Sequence, residues 1–126
     1  MIKTQAHKHM KERDDEREGI VYWNKDAQAQ CLRVESDNEV FVFPYAHLLS
    51  VRLTREENRE ILEISFSTHT VQVSGRNLRE LLPSLQKLSV EWLREAPVRY
   101  AVLASKDAVF IESIEVNEAA ESQSNQ

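Results

Sequence analysis

The chain is poor in the features that mark several classes of protein. Cys31 is its one cysteine and has no second cysteine with which to form an internal disulfide. No apolar run approaches the roughly 20 residues that span a bilayer, and the charged start, residues 1–19, lacks the apolar segment of a secretory signal. These absences predict a soluble protein of a reducing compartment, most simply the cytoplasm, without a membrane partner.

Glycine is also scarce, and catalytic motifs are missing. With two glycines, the chain contains neither G-x-x-x-x-G-K-[ST] nor G-x-G-x-x-G, the loops that bind nucleotide phosphates. It has no G-x-S-x-G turn that would present a catalytic serine. His7 and His9 supply two potential metal ligands, whereas a closed zinc site needs four. We therefore predict no catalytic residue, no metal site and no cofactor, and we favour a protein that is not an enzyme.

The acidic excess is unevenly placed along the chain. The formal net charge is -5, yet acids and bases cancel in residues 1–19 and again in residues 20–106. From Asp107 onward the only charged residues are acids. A strong positive field that would steer a nucleic acid is therefore unsupported, which leaves only a local basic patch for such a partner.

Length and composition predict one folded domain with polar ends. At 126 residues and 41% hydrophobic residues, a second core would be hard to fill. Residues 1–19 are dense in charge and lack an apolar stripe, so we predict a flexible arm there. Residues 20–116 are predicted to form a single domain, and residues 117–126 a disordered polar and acidic tail.

Alternation with a period of two residues dominates the first half of this domain. Residues 30–35 and 40–43 flank the turn-like Ser36–Asp37–Asn38 and predict a β-hairpin. Pro44 should end the second strand because it has no N–H to donate. The inward positions predicted for the next three strands are Leu49, Val51 and Leu53, then Leu62, Ile64 and Phe66, then Val71 and Val73.

The period becomes helical after residue 75 and predicts one principal helix over about 77–88. Its apolar face consists of Leu78, Leu81, Leu82, Leu85 and Leu88. Asn77, with Glu80 three residues later, approximates a capping box. Pro83 either kinks this helix or begins a second helix after a short turn.

The remaining segments complete the predicted fold class. Residues 89–94 fit a short strand and a continued helix equally well, and residues 98–103 and 109–116 predict two further strands. The order of elements predicts an α+β domain that is rich in strands in its N-terminal half. We expect a small, mainly antiparallel curved sheet or β-roll with the principal helix packed on it.

The stretch Ser67–Thr68–His69 is the polar cluster most easily taken for a site. A hydroxyl and an imidazole could act as nucleophile and base, but no motif supplies the orienting acid or an oxyanion hole. We interpret it as a hairpin turn whose hydroxyls bond local backbone. His69 and His47 are nevertheless candidates for a pocket, and an enzyme with a site around these two histidines remains a third functional hypothesis.

Gly75 is predicted to provide a positive-φ corner between the last of these strands and the helix. Arg76 and Arg79 follow it at the helix start, where backbone N–H groups and two guanidinium groups could bind an anion. This is the single ligand site that the sequence suggests.

The leading functional hypothesis is a small non-enzymatic interaction module that self-associates or docks to a protein. A sheet of this size leaves edge strands, and subunits often pair such edges. The alternative is a nucleic-acid or anion-binding domain that uses arginines on the sheet rim and the helix start. Those arginines are Arg52, Arg55, Arg76 and Arg79.

Overall fold

The structure is a computed structural model that describes residues 23–25, 28–97 and 107–119. Its strands are β1 (Trp23–Lys25), β2 (Cys31–Glu35), β3 (Val40–Pro44), β4 (Leu48–Arg55), β5 (Glu60–Phe66), β6 (His69–Arg76), β7 (Val90–Arg94) and β8 (Phe110–Glu118). Its helical segments are 3₁₀ turns at Tyr45–His47 and Leu78–Leu81 and the α-helix α1 (Leu82–Gln86). The predicted α+β class is confirmed.

The strands form two four-stranded sheets rather than one. Their orders are β1-β7-β2-β3 and β4-β5-β6-β8, and the sheets do not close into a barrel. Neighbouring strands are antiparallel except for β2 and β7, which are parallel. The predicted antiparallel character is therefore confirmed, with one parallel pair added to it.

A single core lies between the two sheets and below the helical segment. Leu62, Ile64 and Phe66 of β5 are at most 1% exposed, as the alternation along that strand predicts. The ring of Phe43 on β3 stacks on Phe66 with 4.6 Å between the ring centroids. This contact joins the inner faces of the two sheets, because β3 and β5 belong to different sheets.

The inward face predicted for β4 is wrong at its first position. Leu49 is 67% exposed, while Val51 and Leu53 are half-buried against the core. The pairing of β4 with β5 shifts between Leu48 and Ser50, so Leu49 is the extra residue of a β-bulge. A bulge inserts one residue into the alternation, which moves that side chain off the predicted face.

Gly75 does not form the predicted positive-φ corner. It is paired within β6, and its φ lies outside the left-handed region. A Cβ atom on Gly75 would lie 2.0 Å from the carbonyl oxygen of Phe110 on β8. The pairing of β6 with β8 shifts beside Gly75, so the bulged backbone of β8 approaches closely. Glycine is needed at this position because there is no space for a Cβ atom.

The helical segment spans residues 78–86 and begins differently from the prediction. Asn77 has a left-handed backbone with φ 56°, and its side-chain N–H donates to the carbonyl oxygen of Ala108 at 2.8 Å. It makes no side-chain bond to the helix start, so the predicted capping box is wrong. Pro83 lies in the first turn of α1, where no N–H is needed. The second alternative for Pro83, a short turn followed by a new helix, is the one observed.

Residues 90–94 form strand β7 instead of continuing the helix. Leu88, at φ 57°, separates the two elements, and Val90 and Leu93 are fully buried. β8 continues to Glu118, two residues past the predicted end of the domain. The predicted arm at residues 1–19, the predicted strand at 98–103 and the rest of the predicted tail lie outside the described residues.

Tyr45 ties the 3₁₀ turn after β3 to β7. Its hydroxyl donates to the carbonyl oxygen of Val90 at 2.7 Å, and desolvation raises the pKa of the phenol well above its usual value. We expect Tyr45→Phe to lower the free energy of unfolding by about 1 kcal/mol at neutral pH.

The same substitution should change the pH dependence of stability. The unfolded tyrosine ionises near pH 10 while the folded one stays neutral. The contribution of Tyr45 to the free energy of unfolding is therefore fully present below pH 10, and it falls by about 1.4 kcal/mol per pH unit above pH 10. Urea unfolding of wild type and Tyr45→Phe on both sides of pH 10 measures this difference. A wild-type advantage that persisted at high pH would contradict the assignment.

Candidate functional site

Ser67 and Thr68 form the turn between β5 and β6, whereas His69, the third residue of the predicted turn, is the first residue of β6. The Ser67 N–H donates to the His47 carbonyl oxygen at 2.9 Å, which holds the turn against the 3₁₀ segment. The Nδ1 atom of His69 lies 2.9 Å from Thr68 Oγ1, and its ring packs 5.4 Å from the Phe43 ring between centroids. The Thr68 hydroxyl bonds the His69 ring instead of the predicted local backbone, and backbone hydrogen bonds hold the turn, which is the behaviour of a structural turn.

The two pocket candidates, His47 and His69, do not converge with the two anion-site candidates. His69 is the first residue of β6 and Arg76 is the last. Seven steps along a strand separate their Cα atoms by about 23 Å. His47 is exposed and lies beside the same turn as His69, at the far end of the sheet from Arg76.

The start of the helical segment is capped by a carboxylate from another strand. Glu60, 9% exposed at the start of β5, accepts hydrogen bonds on Oε1 from the N–H groups of Leu78 at 2.7 Å and Arg79 at 3.2 Å. Those are the backbone donors that the predicted anion site would use. The guanidinium of Arg76 lies 4.8 Å from the centroid of the Phe110 ring, and Arg79 is exposed.

A surface hollow of about 250 Å³ lies beside this cap, around the turn between β4 and β5. Its lining residues are Arg55, Glu56, Glu57, Asn58, Arg59, Glu60, Arg76 and Asn77, so three arginines face three glutamates. Three further hollows have linings dominated by polar and charged residues, and neither histidine lines any of the four. Small-molecule sites are enclosed and mainly apolar, which these hollows are not.

Two of the four arginines of the alternative hypothesis are paired with acids. Arg52 contacts Glu63 at 2.7 Å, and Arg55 contacts Glu60 at 3.5 Å. Among residues 23–25, 28–97 and 107–119, no group of three or more His, Cys, Asp or Glu side chains could hold a metal ion. The His7 and His9 pair lies outside this part of the chain.

The most unusual surface is an edge that the sequence interpretation missed. β3 is the outer strand of its sheet, and its outward side chains Val40 and Val42 are 62% and 58% exposed. No charged residue occurs within Val40–Pro44. We call this strand the β3 edge. The uncharged, β-prone sequence of this strand predicts a strand, but an edge strand and a central strand have the same alternation of side chains.

The other outer strands among the described residues are protected in ways that β3 is not. β1 has three residues, and β4 carries Arg52, Arg55 and the bulge at Leu49. Charge, bulges and short length are the usual means of preventing edge pairing. Within Val40–Pro44 itself, the only such device is Pro44 at the strand end.

β8 is covered along part of its length by the loop after β7. The Ala96 N–H donates to the Ile111 carbonyl oxygen at 2.9 Å, and the Ile114 N–H donates to Glu95 Oε2 at 2.8 Å. The uncovered remainder of β8 carries Glu115 and Glu118. This strand is therefore protected against edge pairing in two ways, by a covering loop and by charge.

Hydrogen bonds at both ends of the β2–β3 hairpin establish which β3 residues face the open side. The Ser36 N–H donates to the Glu39 carbonyl oxygen at 2.8 Å, and the Tyr45 N–H donates to the Gln30 carbonyl oxygen at 2.9 Å. Paired residues in an antiparallel ladder alternate between hydrogen-bonded and non-hydrogen-bonded positions. Both ends give the same alternation along β3.

Phe41 and Phe43 accordingly use their backbone groups toward β2. Val40 and Val42 direct their N–H and carbonyl groups toward the open side, away from β2. The same two residues expose their side chains on the outer face of the sheet. The β3 edge thus offers backbone donors, backbone acceptors and apolar surface at the same positions.

The outer face next to this edge carries an arginine–tryptophan contact. Val42 is paired with Arg33 of β2, and Arg33 is paired with Trp92 of β7. The guanidinium of Arg94 lies 4.7 Å from the centroid of the half-buried Trp92 ring. Tryptophan and arginine are enriched among the residues that dominate protein–protein binding energy.

Comparison of the chain with family models, with curated proteins and with solved structures gives no match. Within the described residues, no helix has the length and apolar character needed to cross a membrane.

Proposed function

We propose that this chain is a non-enzymatic interaction module that binds an extended protein segment by adding a strand at the β3 edge. The observation that carries the proposal is the coincidence, at Val40 and Val42, of outward backbone groups with exposed apolar side chains. In strand addition, main-chain hydrogen bonds supply affinity and alternate side chains supply specificity. Cys31 is exposed and unpaired, which suits the cytoplasmic location that we propose.

The alternative of nucleic-acid binding receives less support from the same surface. One face of the Trp92 ring is covered by Arg94, so that face is not available for a nucleic-acid base to stack on. Arg33 beside it contacts Glu35 at 2.8 Å. A surface that binds phosphates needs cations in excess of acids, and this face pairs its cations with an acid or a ring.

Strand addition can be tested without knowing the natural partner. A displayed library of short peptides is selected against the wild-type protein, and binding is then measured to Val42→Pro. Proline removes the outward N–H of residue 42 and leaves the bonds of β3 with β2 in place. We expect selected peptides to be rich in β-branched and aromatic residues and to bind Val42→Pro at least about tenfold more weakly.

Hydrogen exchange supplies the structural readout of this test. A peptide that adds a strand should slow amide exchange at Val40 and Val42. The control is Leu49→Glu, which alters an equally exposed apolar residue on β4 and should leave affinity unchanged. Peptides that bind wild type and Val42→Pro equally well would refute the β3 edge as the site.

A further inference from the structure

Resting on the proposed function, we infer that the segment bound at the β3 edge is β3 of a second copy of this chain. The two strands run antiparallel about a two-fold axis that passes beside Phe41. The result is a continuous sheet of eight strands, in which the order β1-β7-β2-β3 is followed by the same four strands of the second copy in reverse order. Self-pairing of this kind is isologous, because the same residues serve on both sides.

The backbone groups of the β3 edge are self-complementary in this register. Val40 lies opposite Val42 of the second copy, and Val42 lies opposite Val40. Each of these residues has both an N–H and a carbonyl oxygen directed outward, so every pair exchanges two hydrogen bonds. Pro44 falls opposite residue 38 of the second copy, in its hairpin turn, where the missing N–H breaks no ladder bond.

Phe41 provides the side-chain argument for a second copy. It points inward and stacks on Phe43 at 5.7 Å between ring centroids, yet it is only half-buried, and none of the described strands lies beyond it. At the two-fold axis Phe41 faces its own counterpart in a non-hydrogen-bonded pair, the arrangement in which side chains approach most closely. Cross-strand aromatic pairs are favourable, so each ring covers the other's exposed part.

Charge and size predict a weak and closed dimer. Val40–Pro44 carries no charge, so no like charges meet in the paired segment despite the acidic net charge of -5. A pairing segment of five residues is small compared with the interfaces of permanent dimers. We therefore expect the dimer to dissociate at low protein concentration. Each copy uses its one β3 edge, so association stops at two.

The first experiment is sedimentation of the full chain from about 1 μM to about 1 mM, the range in which such weak contacts dissociate. We expect a reversible monomer–dimer equilibrium. In the monomer, Val42→Glu places a carboxylate beside Arg33, so we expect the fold to tolerate it. In the dimer, the same carboxylate would lie against the second copy. It should raise the dissociation constant at least about tenfold, as should Val42→Pro. Leu49→Glu is the matched control and should leave it unchanged, while circular dichroism checks the fold of each variant.

The second experiment tests the register. Cys31 is exposed, pairs with Pro44 at the end of β3, and is the one cysteine of the chain, so it takes a spin label without further substitution. With strand spacings of about 4.8 Å and a rise of about 3.4 Å per residue, the two Cys31 Cα atoms of the dimer lie about 25 Å apart. A label distance far from this value overturns the register.

The outcomes separate this inference from the proposed function. A protein that stays monomeric up to about 1 mM, but binds selected peptides at Val40 and Val42, overturns self-pairing and makes another protein the partner. A dimer that Val42→Pro and Val42→Glu leave intact overturns self-pairing through β3. A monomer whose selected peptides bind Val42→Pro as tightly as wild type overturns both.

Discussion

Replacing Gly75 by alanine should lower the free energy of unfolding by about 3 kcal/mol or more. The added Cβ atom would lie 2.0 Å from the carbonyl oxygen of Phe110 and 3.1 Å from the Cα atom of Ile111. Both are backbone atoms of β8, so no side chain can rotate away to relieve the overlap. Adding atoms to a well-packed interior lowers the free energy of unfolding by about 1 to 3 kcal/mol and occasionally more. Here the overlap can be relieved only if β6 and β8 move apart.

Chemical denaturation of Gly75→Ala beside Ser113→Ala measures this effect. Ser113 lies exposed on β8, directly opposite Ser74, so its replacement touches the same pair of strands without crowding them. We expect the control to stay within about 0.5 kcal/mol of wild type. If Gly75→Ala were equally mild, the close approach of β8 could not be the reason for glycine at this position.

Glu60→Ala should destabilise the fold by about 2 to 4 kcal/mol. The Glu60 carboxylate accepts the N–H groups of Leu78 and Arg79, and Leu78 is fully buried. Removing the acceptor leaves a buried donor unsatisfied, which costs more than the net value of the hydrogen bond itself. The 3.5 Å contact with the exposed Arg55 adds little, because water screens it.

A matched pair of variants isolates the capping bonds. Glu60→Gln keeps an oxygen acceptor and should cost about 1 kcal/mol, since only the charge is lost. Glu57→Ala removes an exposed carboxylate from the adjacent turn and should be nearly neutral. Unfolding free energies in the order Glu57→Ala, Glu60→Gln, Glu60→Ala, from most to least stable, support the cap. Equal values for the three variants would contradict it.

Local patterns in the sequence predicted most of the elements because they reflect which face of each element is buried. The alternation of Leu62, Ile64 and Phe66 predicted the buried face of β5, and the leucine spacing predicted the helical segment on the core. The polar turn at Ser67–Thr68 followed from residue types that are common in turns. One bulge, at Leu49, was enough to defeat the same reasoning on β4, because nothing in the local pattern marks an inserted residue.

The surroundings of the candidate site could not be predicted from local sequence, because they depend on which strands are neighbours. Arg76 follows Gly75 in the sequence as an anion ligand would, yet the backbone N–H groups that it was expected to assist already donate to Glu60, a residue of another strand. Val40 and Val42 were predicted as ordinary hairpin residues. Their importance depends on the absence of a neighbour beyond β3 among the described strands.

By itself, the sequence determined the α+β class, the hairpin of β2 and β3, the turn before β6 and the leucine-lined helical segment. Each of these depends on residues close together in the chain, whose spacing and backbone preferences act locally. Tertiary structure alone decided the division into two sheets, the close approach at Gly75, the cap from Glu60 and the open side of β3. Those features depend on contacts between distant segments, such as β2 with β7 and β6 with β8, which no local periodicity encodes.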